Sequence, residues 1–275
     1  MEQFSILRSN RLLSFRVIGE GKPLFIVGFS DYTFDLLPKR IQAKYKCILH
    51  NYYGSLNHTT IDDIDLSLEN LLFDIEAIRK YLQLPKINIL GHSSAGTVAL
   101  DYTLRFSSRI NKAVLLCSPP IYNDRYVEFQ RSYMAKNLES QRRLYMENLK
   151  QELKTIQSQN PKKSWFAEYH NAQRPLYFYD YQENWDTKLG QYQFNQEFIN
   201  HFIEKTYQKY KRENEISSVL SKLIVILGRY DFAVPVTSWD GYEIDSAIFE
   251  KSSHYPMIEE AEAFTEKLID RMRAT

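Results

Sequence analysis

Three polar residues each follow an apolar run that reads as a β-strand. Ser93 comes after Ile87-Asn88-Ile89-Leu90, Asp231 after Leu223-Ile224-Val225-Ile226-Leu227, and His254 after Ala247-Ile248-Phe249. A serine hydroxyl is a weak nucleophile until a neighbouring base takes its proton. An imidazole serves best as that base when a carboxylate fixes its tautomer and stabilises its cation. The chain holds one of each, in the order Ser, Asp, His.

The serine lies in Gly91-His92-Ser93-Ser94-Ala95-Gly96, ahead of Thr97-Val98-Ala99-Leu100-Asp101-Tyr102-Thr103-Leu104, which reads as a buried helix. A strand-to-helix turn of this kind holds a hydroxyl strained and exposed, with the helix aiming backbone N–H groups at it. Strand and helix approach closely there, so small residues must flank the serine. Gly91 and Ala95 fill those places two positions on either side, although Ala95 stands where G-x-S-x-G has its second glycine. Gly96 keeps some backbone freedom beside it.

The elements that must position these residues alternate. Residues 4 to 18 mix apolar and polar positions and end at Gly19-Glu20-Gly21-Lys22-Pro23, which predicts an antiparallel hairpin leading the sheet. Leu24-Phe25-Ile26-Val27 is apolar on both faces, as a parallel strand buried on both sides requires. A second strand after Tyr45 runs to His50-Asn51-Tyr52-Tyr53-Gly54. Leu68, Leu71, Leu72, Ile75, Ile78 and Leu82 then fall at helical spacing, and Pro85 ends that helix. Ala113 to Cys117 is a further strand, closed by Pro119-Pro120. After about residue 210, a short helix ending at Val219 and Leu220, two strands and a closing helix marked by Ile258, Ala261, Leu268 and Met272 resume the alternation. This is the pattern of an α/β fold with a mainly parallel sheet. Residues 1–119 and 211–275 are expected to form its core.

Residues 120–210 are expected to be a helical insertion. Leu138, Leu144, Met146, Leu149 and Leu153 suggest helix, as does the stretch from Glu197 to Tyr210, and no strand-like apolar run occurs. Trp165, Phe166, Tyr169, Tyr177, Phe178, Tyr179, Tyr181 and Trp185 crowd into one span of it. Aromatic rings dominate cores, so most of these build the insertion and its contact with the sheet. Trp165, Tyr177, Tyr181 and Trp185 are the candidates for lining an apolar pocket over Ser93.

Composition bounds the rest. In 275 residues, 44% hydrophobic and 25% charged, there is ample core material. Lys plus Arg total 35 against 34 for Asp plus Glu, a net charge of +1, which gives no footprint for nucleic acid or an anionic membrane. No stretch approaches a membrane span, and Met1 to Arg8 lacks the pattern of a signal peptide, so a cytoplasmic protein is expected. Cys47 and Cys117 each sit in a strand-like run and read as buried free thiols. His50, His58, His92, His170 and His201 show no ligand spacing, so no metal is expected. No G-x-G-x-x-G follows a strand, so no nucleotide cofactor is expected either.

The ordered Ser, Asp, His with the turn motif resembles the α/β-hydrolase superfamily. The match runs through Gly19-Glu20-Gly21-Lys22-Pro23, the Ser93 turn, Gly228-Arg229-Tyr230-Asp231 with Val234-Pro235, and Ser253-His254-Tyr255-Pro256 with Glu259-Glu260. Within the superfamily the chain looks most like the capped hydrolases related to proline iminopeptidases, a group that includes many esterases. The resemblance implies an α/β-hydrolase fold with residues 120–210 as a cap. It implies Ser93 as nucleophile, His254 as general base and then acid, and Asp231 as the orienting carboxylate, with Asp124 as the rival acid. The oxyanion donors would be the N–H groups of Ser94 and Phe29. The family's His-Gly before the second donor reads Val27-Gly28 here, which leaves Ser30 and Asp31 as alternatives to Phe29.

The implied activity is hydrolysis of a carboxylic ester or related acyl bond through an acyl-enzyme, with a small-molecule acyl substrate. A proline iminopeptidase-like aminopeptidase is the alternative. It requires carboxylates to hold the substrate's ammonium, and Glu168, Asp180, Glu183 and Asp186 are available for that. A non-catalytic binding protein on the same fold is the alternative from another class. A serine at the turn, where a carboxylate would stand, argues against a dehalogenase or an epoxide hydrolase.

Overall fold

The structure is a computed structural model and describes residues 1–52, 67–158, 166–183, 189–192, 195–203 and 212–273. Glu2–Arg8 (β1) and Arg11–Ile18 (β2) alternate outward and inward side chains and pair as an antiparallel hairpin. Lys22–Ile26 (β3), Tyr45–Leu49 (β4), Ile87–His92 (β5), Ile110–Leu116 (β6), Leu223–Gly228 (β7) and Asp245–Phe249 (β8) complete one sheet in the order β1-β2-β4-β3-β5-β6-β7-β8. From β4 to β8 every neighbouring pair is parallel. All six residues of β5 and all six of β7 are buried, as strands covered on both faces must be.

The covering helices are Ser30–Leu36 (α1), Lys39–Lys44 (α2), Leu68–Tyr81 (α3) and Ala95–Arg105 (α4), joined at the end of the chain by Pro256–Glu259 (α10) and Ala261–Arg273 (α11). The apolar stripe predicted on α3 is buried through Leu71, Leu72, Ile75 and Ile78, and the Ser67 hydroxyl caps its start by accepting from the Asn70 N–H. The second predicted strand stops sooner than its sequence suggests. It ends at Leu49, and beyond it Tyr52 N–H turns to donate to Gly28 O, tying this segment to the loop after β3.

Between β6 and β7 lie Asp124–Asn137 (α5), Ser140–Gln157 (α6), Phe166–Ala172 (α7), Arg174–Tyr177 (α8) and Gln196–His201 (α9), with no strand among the described residues. The apolar spacing from Leu138 to Leu153 falls across a break, not along one helix. Leu138 is extended at ψ 112° and buried with Leu176 and Phe232, so α5 ends where its last apolar side chain turns inward. Of the stretch from Glu197 to Tyr210, α9 takes the beginning, and residues 204–210 lie outside the described residues. The short helix expected before β7 is a pair of 3₁₀ turns, Glu213–Ser218 and Leu220–Lys222. No described helix is long and apolar enough to cross a membrane. Cys47 and Cys117 are both buried and unbridged.

Candidate active site

The turn after β5 holds Ser93 at φ 56°, in the left-handed region that costs a non-glycine residue roughly 1–3 kcal/mol. Its backbone is fixed from both sides: Ser93 N–H donates to Leu116 O on β6, and Ser93 O accepts from Gly96 N–H in the first turn of α4. Gly91 is required by this closeness, since a Cβ there would lie 2.4 Å from Ala95 O. The irregular Ala95 finds its room across the site. A Cβ on Gly28 would sit 2.5 Å from the Ala95 methyl, so the glycine of the loop after β3, at φ 92°, makes the space that Ala95 fills.

His254 Nδ1 lies 2.7 Å from Asp231 Oδ2, and both side chains are buried. The other carboxylate oxygen, Oδ1, accepts the N–H groups of Ala233 and Val234 at 2.8 Å each, so every oxygen of Asp231 is committed. The buried Cys117 thiol stands behind the pair, its donor atom within 4.8 Å of theirs, and burial pushes its pKa well up. His92, beside the serine, places Nε2 3.0 Å from His254 O, linking the two loops. Burial holds this imidazole well below its usual pKa. The rival carboxylate, Asp124, is exposed at the start of α5 and is not brought to His254.

Phe29, Ser93, Ser94 and His254 line one cavity of about 430 Å³. Ser94 is the N-cap of α4 and makes no side-chain capping hydrogen bond. Of the alternatives to Phe29, Asp31 has its N–H directed to Asn51 Oδ1 at 3.2 Å and its carboxylate to Arg16 at 2.5 Å. The Ser30 hydroxyl also donates to Asn51 Oδ1. The Asp31 N–H is thus engaged away from the cavity, whereas Phe29 is on its wall.

The α5–α9 segment forms the opposite wall. Tyr177, one of the four pocket candidates, lines it. Tyr181 does not. Its ring covers the Arg142 guanidinium at 4.3 Å and meets the Tyr145 ring at 5.2 Å, so this aromatic serves the packing of the segment. Trp165 and Trp185 lie outside the described residues, as does Asp186. Among the cavity residues that sequence reasoning missed are Gln130 on α5, His170 on α7, Gln173 just beyond it and Tyr255 after the histidine. His170 Nε2 is 2.7 Å from the Tyr255 hydroxyl, and its ring stacks on Tyr177 with centroids 4.7 Å apart. Burial, with the neighbouring His254 adding to it, lowers the His170 pKa to about 3, so this imidazole is neutral. Nothing in its local sequence marks it, because its partners are 7 and 85 positions away.

A short strap of the segment is stitched to the loops that carry Asp231 and His254. His254 N–H donates to Tyr177 O, Phe232 N–H to Leu176 O, and the Ser253 hydroxyl to Leu176 O. Arg142 is buried and donates to the carbonyls of Pro175, Phe178 and Tyr179. Glu259 closes the strap from below, accepting Tyr179 N–H at 2.6 Å and Ser253 N–H at 2.8 Å. Burial raises its pKa to about 7 against the opposing pull of those two donors.

The comparisons fit this geometry. The family model described as "alpha/beta hydrolase fold" matches residues 27–261. The AB hydrolase superfamily protein YclE of Bacillus subtilis (strain 168) is 29% identical over 282 residues, covering 96% of each chain. An alpha/beta fold family hydrolase from Bacillus anthracis str. Sterne superposes with a TM-score of 0.71 at 21% identity, over 98% of this chain and 99% of that one. Proline iminopeptidase from Mycobacterium smegmatis does so with a TM-score of 0.72 at 14% identity, over 99% and 98%. With an eight-stranded, mostly parallel sheet flanked by helices and a family match across most of its length, this chain belongs to the α/β-hydrolase family.

Proposed function

We propose that the protein is a serine hydrolase that cleaves a carboxylic ester or related acyl bond through an acyl-enzyme on Ser93, with the α5–α9 segment as its cap. The observation that carries this is the buried His254–Asp231 pair opening onto the same cavity as the strained Ser93 turn. Asp231 holds the proton of His254 on Nδ1, which leaves Nε2 as the base. Ser93 Oγ gives its proton to Nε2 and attacks the acyl carbon. The tetrahedral oxyanion lies against Ser94 N–H and Phe29 N–H, donors already fixed before charge develops. Collapse breaks the bond to the leaving alcohol, which takes the proton from His254. Water, deprotonated by His254, then attacks the acyl-enzyme, and breaking the Oγ–acyl bond releases the acid and regenerates Ser93.

The aminopeptidase reading needs a carboxylate on the cavity wall. Asp180 and Glu183 are exposed, and neither they nor Glu168 lines the cavity. Esters therefore rank above N-terminal proline peptides. The likeness to the iminopeptidase structure concerns the fold. The test is turnover of p-nitrophenyl acetate and butyrate against proline p-nitroanilide, in wild type and in Ser93→Ala. We expect ester hydrolysis that is abolished by the substitution. Preference for the anilide would install the peptidase reading, and no turnover of either would favour a binding protein.

A further inference from the structure

The cap side of the cavity is not simply apolar. Gln130 from α5 and His170 with Gln173 from α7 and its C-terminal end reach it among the rings of Tyr122, Tyr169 and Tyr177. His170 and Gln173 are three positions apart, so they share one face. Each glutamine has its nitrogen engaged: Gln130 Nε2 donates to Ala233 O at 2.5 Å, and Gln173 Nε2 to Tyr169 O at 3.4 Å. Each bond uses one of the two amide hydrogens, which leaves Oε1 and a second N–H on both side chains. Across the cavity the Tyr32 hydroxyl donates to the Tyr255 hydroxyl at 3.3 Å, and Tyr255 pairs with His170, which sets a chain of neutral polar groups into the wall. An alkyl chain bound here would strip water from two side-chain amides and return no hydrogen bond, at a cost of about 1–3 kcal/mol for each polar group left unmet.

We propose that the site selects an uncharged ester whose non-reacting part carries hydroxyl or amide groups, received by the side-chain amides of Gln130 and Gln173. This rests on the serine-hydrolase reading and names the substrate class of that same site. Hydroxylated acyl groups and polyol alcohols both satisfy it, and they differ in which side of the scissile bond lies under the cap.

The test is kcat/KM on two matched pairs: p-nitrophenyl 3-hydroxybutyrate against p-nitrophenyl butyrate, and glycerol monobutyrate against butyl butyrate. In at least one pair we expect the hydroxylated ester to be favoured about tenfold or more. Gln173→Leu keeps the side-chain volume, and its wild-type bond lies within its own helix turn. It should bring that ratio down several-fold, and Gln130→Leu should act in the same direction. Parity in both pairs for wild type overturns the proposal, as does a preference that survives both substitutions. Labelling of Ser93 by a fluorophosphonate, run on every variant, separates the two failures. A labelled enzyme without the preference loses only the substrate class, whereas an unlabelled one loses the hydrolase reading and the substrate class with it.

Discussion

The two walls of the cavity are built on different principles. On the core side each proposed reacting group follows a parallel strand, where the carboxyl ends of an open α/β sheet expose their loops. Backbone bonds hold Ser93 and Asp231: Ser93 by a left-handed turn bonded to β6 and α4, and Asp231 by two backbone N–H groups. On the α5–α9 side the groups come from α5, from α7 and from the residues that follow it. They are held through distant partners, with Arg142 gathering three carbonyls and Glu259 two N–H groups.

Changes on the core side should therefore be the most damaging. Ser93→Ala is expected to lower ester turnover by about 10⁴-fold or more, read as kcat on an aryl ester. Gly91→Ala drives a methyl into the Ala95 carbonyl, with no flexible side chain to yield. It should cost about 3 kcal/mol, seen as a fall in Tm on the order of 10 °C. If this variant were as stable as wild type, the tight strand–helix approach at the turn would be wrong.

On the cap side, Glu259→Ala removes the acceptor shared by Tyr179 and Ser253 and should cost about 1–2 kcal/mol near pH 5. Its carboxyl has a raised folded pKa, about 7. The folded state therefore binds the extra proton, and the contribution is complete below the unfolded value of about 4.3 and fades as pH rises through about 7. Denaturant titrations across that range should show wild type losing its margin over the variant.

The buried histidines act with the opposite sign. His50, His92 and His170 are all lowered by burial, so the unfolded chain takes up protons below about pH 6.5 that the folded chain refuses. Stability is lost as pH falls from there toward about 3. His170→Gln should lessen that slope by up to about 1.4 kcal/mol per pH unit, and an unchanged slope would mean that this imidazole is not held neutral. The smallest effect belongs to neither wall. Arg40 and Glu262 pair in the open at 3.1 Å, and Glu262→Gln should shift stability by no more than about 0.5 kcal/mol.

The same contrast explains what could be read from the chain. Parallel strands appear as apolar runs because both faces are covered, and the turn at Ser93 demands small neighbours, so the sheet, its order of elements and the three polar residues were all visible locally. Ala95 looked irregular because the glycine that accommodates it, Gly28, lies 67 positions earlier. The α5–α9 segment gave no such signals. Tyr181 and Tyr177 are equivalent in composition and spacing. Only folding shows that one covers Arg142 while the other faces the cavity. Leu138 reads as one more apolar helical position until its burial against Phe232 breaks the helix there. His170 became visible only when Tyr255 arrived beside it from the far end of the chain.

The central claim is that the core wall activates Ser93 as a nucleophile. Its most direct test is covalent labelling by a fluorophosphonate, with the modified peptide mapped by mass spectrometry in wild type, Ser93→Ala and Asp231→Asn. We predict one adduct, on Ser93, formed quickly in wild type, absent in Ser93→Ala and strongly slowed in Asp231→Asn. An adduct that persists in Ser93→Ala, or a wild-type protein that never labels, would contradict it.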